Sequence, residues 1–78
     1  MERINQHKNC LVGSNIRRIR QEKHLRNKDV VTQLQLQGVE ISSATYSKVE
    51  SGINNPSVDM LIALAEIFEC DFNAFFRK

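Results

Sequence analysis

The apolar residues of this chain fall into short stripes with spacings of three and four, and each stripe is bounded by a residue that starts or stops a helix. Side chains so spaced share one helix face, and no stretch alternates with the period of two that a strand requires. In the first stripe Val12, Ile16 and Ile19 recur from Leu11 onward, with Asn9 a candidate N-cap and an end near His24. A second helix is expected from about Asn27 to Gln37, with Asn27 as its cap, Asp29 in the first turn, and Val30, Val31 and Leu34 as its stripe. Gly38 is a natural stop, and "GVEIS" then reads as a turn that tucks Val39 and Ile41 inward. Ser42 caps a third helix in which Tyr46 and Val49 share a face, and Gly52 ends it. Ser57 caps a fourth, with Val58, Leu61, Leu64, Ala65 and Phe68 inward. Asp71 caps a short fifth helix carrying Phe72, Phe75 and Phe76, of which Phe72 or Phe75 should fill the core. The expectation is an all-α, compact five-helix bundle without internal repeats.

A chain of 78 residues makes one domain, close to the lower size at which a core stands without staples. Residues 1–9 show no periodicity and read as a mobile arm, which leaves residues 10–78 as the folded domain. Cys10 and Cys70 are far apart, with no CxxC or Cys/His cluster around them, so neither a disulfide nor a zinc framework is signalled. No apolar run approaches a membrane span, and "MERINQHKNC" has no signal-peptide core. These features fit a soluble protein of the reducing cytoplasm with no membrane association.

Net charge of +2 conceals an asymmetry. Residues 1–28 carry eight basic and two acidic side chains, whereas residues 29–78 carry three basic and seven acidic ones. Clustered positive charge steers anions such as phosphates, although a solvated helix face has the same composition. Enzymatic chemistry is not expected. No nucleophile and base stand at a useful spacing, and His7 and His24 lack acidic or cysteine neighbours. No metal, cofactor or effector pocket is signalled.

Function concentrates in "ISSATYSKVESGINNPS", where small polar residues open the third helix. A helix that enters the DNA major groove must present short or hydrogen-bonding side chains at its N-terminal end, and Ser43, Ala44, Ser47 and Lys48 meet that need. Lys48 can reach guanine O6/N7 or a phosphate, and its position does not separate the two. The segments "VGSNIRRIRQEKHL", "DVVTQL" and "ISSATYSKVESGINNPSVDMLIALAEIF" resemble the phage repressor and Cro type of helix-turn-helix domain. The resemblance runs from about Leu11 to Phe76, and its most specific part joins Ser42, Tyr46, Val49, Glu50, Gly52 and Pro56 to a capped amphipathic helix. It implies sequence-specific binding of double-stranded DNA by a small transcriptional regulator, a repressor in the first instance. Ser43, Ala44, Ser47 and Lys48 would then face bases.

The resemblance also implies a phosphate clamp at the start of the second helix, where relatives often carry glutamine and this chain has Asn27. Asparagine is shorter, so Arg26 and Lys28 are expected to supply the charge, and Ser51, Asn54 and Asn55 of the following loop to donate to the backbone. Arg17 and Arg18 are left between backbone contact and plain solvation. Arg20 late in the first helix is implied to bridge to Glu50, holding the angle of the third helix, with Tyr46 in the core. Relatives commonly bind palindromic operators as homodimers with half-sites about one helical turn apart, and Phe75 and Phe76 are the expected dimer contact. One departure is "QLQGVEIS", which makes the turn before the third helix about five residues longer than the usual three or so. Extending the second helix by about a turn, 3.6 residues, would absorb most of it. The alternative is a protein-interaction module, such as an antitoxin or adapter, with "FNAFFRK" as its contact. RNA binding lacks an aromatic platform.

Overall fold

A computed structural model of the protein describes residues 11–78, and the N-terminal arm expected over residues 1–9 and the Asn9 cap lie outside them. Among the described residues there are four α-helices and no strand: α1 (Leu11–Glu22), α2 (Asn27–Leu36), α3 (Ser43–Glu50) and α4 (Val58–Phe68). The fifth segment, Phe72–Phe76, is a 3-10 helix rather than an α-helix.

Each helix contributes one stripe to a single core. Val12, Ile16 and Ile19 of α1 meet Val30, Val31 and Leu34 of α2, Tyr46 and Val49 of α3, and Leu61, Leu64 and Phe68 of α4. Met60 and Ala63 are buried beside that fourth stripe. Helix α1 packs against α3 and the 3-10 helix, while α2 packs against α3 and α4. The short helix α3 is therefore gripped from two sides, which fixes its direction relative to the rest of the domain.

Helix starts follow local hydrogen bonding. Ser42 Oγ accepts from the Thr45 amide at 3.1 Å, and Ser57 Oγ accepts from the Met60 amide at 3.1 Å. At α2 the cap is Arg26, not Asn27. The Asp29 carboxylate reaches back to accept from the Arg26 amide at 2.9 Å, which sets the start one residue early and frees the Asn27 side chain for other work. Asp71 makes no side-chain cap bond, so the final turn opens without one.

All four α-helices end in the same paired pattern of backbone bonds. The left-handed residue bonds back in a 5→2 pattern and the next residue in a 6→1 pattern, as in Val39 N–H to Leu34 O at 2.9 Å and Ile53 N–H to Lys48 O at 2.9 Å. The turn residue must be left-handed. Glycine supplies this at Gly38 and Gly52, with φ of 86° and 88°, whereas His24 and Glu69 adopt φ of 58° and 55° as ordinary L residues.

The connector between α2 and α3 comprises residues 37–42. Gln35 and Leu36 prolong α2 past Leu34, and the rest crosses to Ser42 with Val39 and Ile41 half-buried against the core. Gln35 Nε2 donates to the Ile41 carbonyl at 3.0 Å, pinning the far end of the connector to α2.

The C-terminal turn is tied down by a residue that the apolar pattern does not mark. Asn15, buried in α1, donates from its amide to the carbonyls of Phe75 at 2.9 Å and Arg77 at 2.8 Å. Phe75 is 0% exposed and belongs to the core, so it cannot serve as the expected dimer contact. Phe72 and Phe76 stay exposed, and the Phe72 ring leans on Phe75 at 6.4 Å between centroids.

Candidate nucleic-acid interface

Helix α3 divides cleanly by face. Tyr46, Val49 and Glu50 are buried, while Ser43, Ala44, Thr45, Ser47, Lys48 and Ser51 are exposed. At 100° per residue the exposed set spans an arc of about 200°, of which Ser43, Ala44, Ser47, Lys48 and Ser51 cover about 140°, wide enough for one contact face along a helix of this length. The polar side chains on that arc are short except for Lys48, so a groove can approach the helix backbone closely.

Beneath the opposite face lies an ionic cluster. Arg20 grips Glu50 with two nitrogens, Nε to Oε2 at 2.6 Å and Nη2 to Oε1 at 3.1 Å. Its third nitrogen, Nη1, donates to the Leu25 carbonyl at 3.0 Å, so one guanidinium joins α1, the turn into α2, and α3. Arg17 adds a longer contact, Nε to Glu50 Oε1 at 3.4 Å, from a half-exposed side chain. That contact places Arg17 beside the ion pair, a role that neither solvation nor backbone binding predicts. Arg18 instead pairs with Glu22 on the exposed face of α1 at 3.1 Å.

The electrostatics of the cluster follow from its burial. Desolvation is the largest influence and works to raise the Glu50 pKa, but the surrounding groups, Arg20 first and then Tyr46 and Arg17, together outweigh it and hold the carboxyl below its ordinary value. Glu50 in turn raises the pKa of Arg20. Burial, followed by the nearby Glu50 carboxylate, pushes the Tyr46 phenol far above its ordinary range. That hydroxyl is buried close to Glu50, yet it has no partner in hydrogen-bonding geometry. Tyr46 is thus a neutral core residue whose ring supports α3 from below.

The start of α2 approaches the exposed face of α3 through one contact. Asn27 Nδ2 donates to Ser47 Oγ at 2.6 Å, while its Oδ1 is buried without a hydrogen-bond partner. The side chain expected at a phosphate therefore holds a candidate base-facing serine. Arg26 and Lys28 flank it and are exposed. In the loop after α3, the Ser51 hydroxyl donates to the Lys48 carbonyl at 3.1 Å, which leaves it only acceptor capacity for an outside partner. Asn54 and Asn55 are half-buried on the same loop.

The described residues therefore hold the Asn27–Ser47 junction, the cations Arg26 and Lys28, and the polar arc of α3 in one rigid frame. Among them no group of three or more His, Cys, Asp or Glu side chains is placed to hold a metal ion. No helix among them is long and apolar enough to cross a membrane.

A helix held by its neighbours, joined by a connector to a second helix and presenting a polar arc outward, defines a helix-turn-helix domain. A family model described as helix-turn-helix matches residues 16–75, and the chain belongs to this family, the phage repressor and Cro type of DNA-binding regulatory domain. Comparison with curated proteins and with solved structures yields no match.

Proposed function

We propose that the protein is a cytoplasmic transcriptional regulator, acting as a repressor, that binds a specific double-stranded DNA site with α3 in the major groove. The observation that carries this reading is the division of α3, with Ser43, Ala44, Ser47 and Lys48 exposed over a buried Tyr46–Val49–Glu50 face. In this reading those four residues meet base edges. Arg26, Lys28 and Asn27 meet phosphates at the start of α2, where the helix dipole adds positive potential. Asn54, Asn55 and the Ser51 oxygen lie along the same strand. Because Asn27 is engaged by Ser47, its main task is to fix the serine, and the flanking cations provide the charge.

A single module of this size covers few base pairs, and two-fold pairing over a palindrome would double the reach. Phe76 and Phe72, each 43% exposed on the 3-10 helix, are the rings available for such a contact.

Selection of bound duplexes from a random pool tests the reading directly. We expect enrichment of a short motif, repeated as a palindrome if the protein pairs. Lys48→Ala should lower affinity for the selected site by about ten- to a hundredfold and relax preference at one position, provided that the lysine reads a guanine. No complex at low salt with the protein folded would sink the DNA reading. Capture of a protein partner that Phe76→Asp abolishes, together with absent duplex binding, would favour an interaction module instead.

A further inference from the structure

The contact that joins α2 to α3 also sets the chemistry of a groove-facing serine. Asn27 Nδ2 donates to Ser47 Oγ at 2.6 Å, so one lone pair of that hydroxyl is taken up by α2. Among the described residues nothing accepts the Ser47 proton, and the side chain is exposed on the proposed base-facing arc. Ser51, on the same arc, gives its own proton to the Lys48 carbonyl at 3.1 Å. The direction of the Asn27–Ser47 bond follows from what lies behind it. The other terminal atom of Asn27, Oδ1, is buried without a partner. A separation of 2.6 Å would also suit a hydroxyl donating to an amide oxygen. Reversing the amide, however, would turn both of its N–H groups onto that buried position, stranding two donors in place of one acceptor.

We infer, resting on the DNA reading above, that Asn27 is a positioning residue that makes Ser47 a hydrogen-bond donor, so that the base Ser47 meets must offer an acceptor. In the major groove guanine presents only the acceptors N7 and O6, and thymine only O4 and a methyl group, whereas cytosine presents only the N4 donor. Adenine presents one of each. Against guanine or thymine the chain of bonds is complete, with Asn27 donating to Ser47 and Ser47 to the base. Against cytosine, Asn27 and N4 would both donate to Oγ, and the serine proton would be left without an acceptor in a desolvated contact. Ser47 therefore favours guanine or thymine over cytosine by about tenfold. A serine without the asparagine makes no such choice, because its hydroxyl rotates freely to donate or accept.

The test changes the polarity of the group behind Ser47 and reads the duplexes selected from a random pool. Ser47→Ala identifies the base position that the serine meets, since preference is lost there alone. Asn27→Ala should reduce the ratio at that position to less than about threefold. Asn27→Asp should reverse it. The new carboxylate can only accept, so it takes the Ser47 proton and leaves Oγ only able to accept, which favours cytosine by about tenfold. The reversal should vanish when Asn27→Asp is combined with Ser47→Ala, which separates it from a direct contact by the carboxylate. Ratios are taken within each variant, so the weaker overall binding caused by a negative charge near phosphates cancels.

A wild type that favours cytosine, full preference retained in Asn27→Ala, or an unreversed order in Asn27→Asp overturns the assignment. The junction itself is read without DNA. In the free protein one Asn27 side-chain amide proton should shift in the NMR spectrum on Ser47→Ala, and an unmoved signal overturns the junction whether or not duplexes bind. A shifted signal in a protein that selects no duplex would sink the DNA reading and leave the junction standing.

Discussion

At the scale of single residues the decisive group is Glu50, whose side chain is 3% exposed and bound by Arg20 at 2.6 Å. Removing one member of such a buried pair leaves an uncompensated charge, costing on the order of 3 kcal/mol. Glu50→Gln should therefore destabilise the domain by about that amount at neutral pH, as read by urea unfolding. The pH dependence has a definite sign. The Glu50 pKa is lowered in the folded state, below the model-compound value of 4.5. Its contribution is therefore fully present above that value and is lost as pH falls through the folded pKa. Wild type and Glu50→Gln should differ most above pH 5 and converge on acidification, and parallel curves would refute the role given to the pair. Asn15 teaches the complementary lesson. Its partners are carbonyls of Phe75 and Arg77 near the other end of the chain, and no local spacing rule can anticipate a bond between such distant positions.

At the scale of elements, the ends of the helices carry an imbalance that can be measured. An L residue in the left-handed region costs about 1–2 kcal/mol relative to glycine, and glycine gives back about 0.5–1 kcal/mol through the freedom it gains in the unfolded chain. His24→Gly and Glu69→Gly should therefore each stabilise the protein by about 0.5–1 kcal/mol. In thermal unfolding this amounts to a rise of about 3–6 °C each. Gly38→Ala and Gly52→Ala should move the midpoint the other way. A fall with His24→Gly would mean that its side chain contributes more than its backbone strain removes. The caps at Ser42 and Ser57 and the stripes of α1, α2 and α4 are readable from sequence because caps and periodicity are local. The start of α2 is not. Asn27 is the better cap by propensity, but the Asp29 carboxylate bonding the Arg26 amide moves the boundary by one residue. That shift turns Asn27 toward Ser47 and changes its part in the site. The three rings of the last segment defeat pattern reading for a related reason. A 3-10 turn replaces an α-helix, and only tertiary packing decides that Phe75 goes in while Phe72 and Phe76 stay out.

For the whole molecule, charge distribution and pairing meet in one measurable quantity, the salt dependence of duplex binding. Each phosphate neutralised by a cation releases counterions and contributes about −0.9 to the slope of log K against log salt. Arg26, Lys28 and Lys48 are the cations placed on the proposed contact face, since Arg17 and Arg20 are turned to Glu50 and Arg18 to Glu22. With Arg26 and Lys28 on phosphates and Lys48 on a base, one subunit should then give a slope of about −1.8 and a pair on a palindrome about −3.6. Lys28→Gln should reduce the slope by about 1 per subunit without altering the selected motif, because phosphate contacts position the protein and do not read sequence. Phe76→Asp separates pairing from contact. Phe76 is 43% exposed, so the substitution should leave thermal stability nearly unchanged while lowering the slope toward the single-subunit value and the stoichiometry to one protein per half-site. Phe75→Asp, by contrast, places a charge in the core and should unfold the domain outright. A Phe76→Asp protein that keeps both the full slope and two copies per site would remove the 3-10 helix from the pairing surface. The selected motif would then place the true contact, because the spacing between its half-sites fixes how far apart the two α3 helices stand.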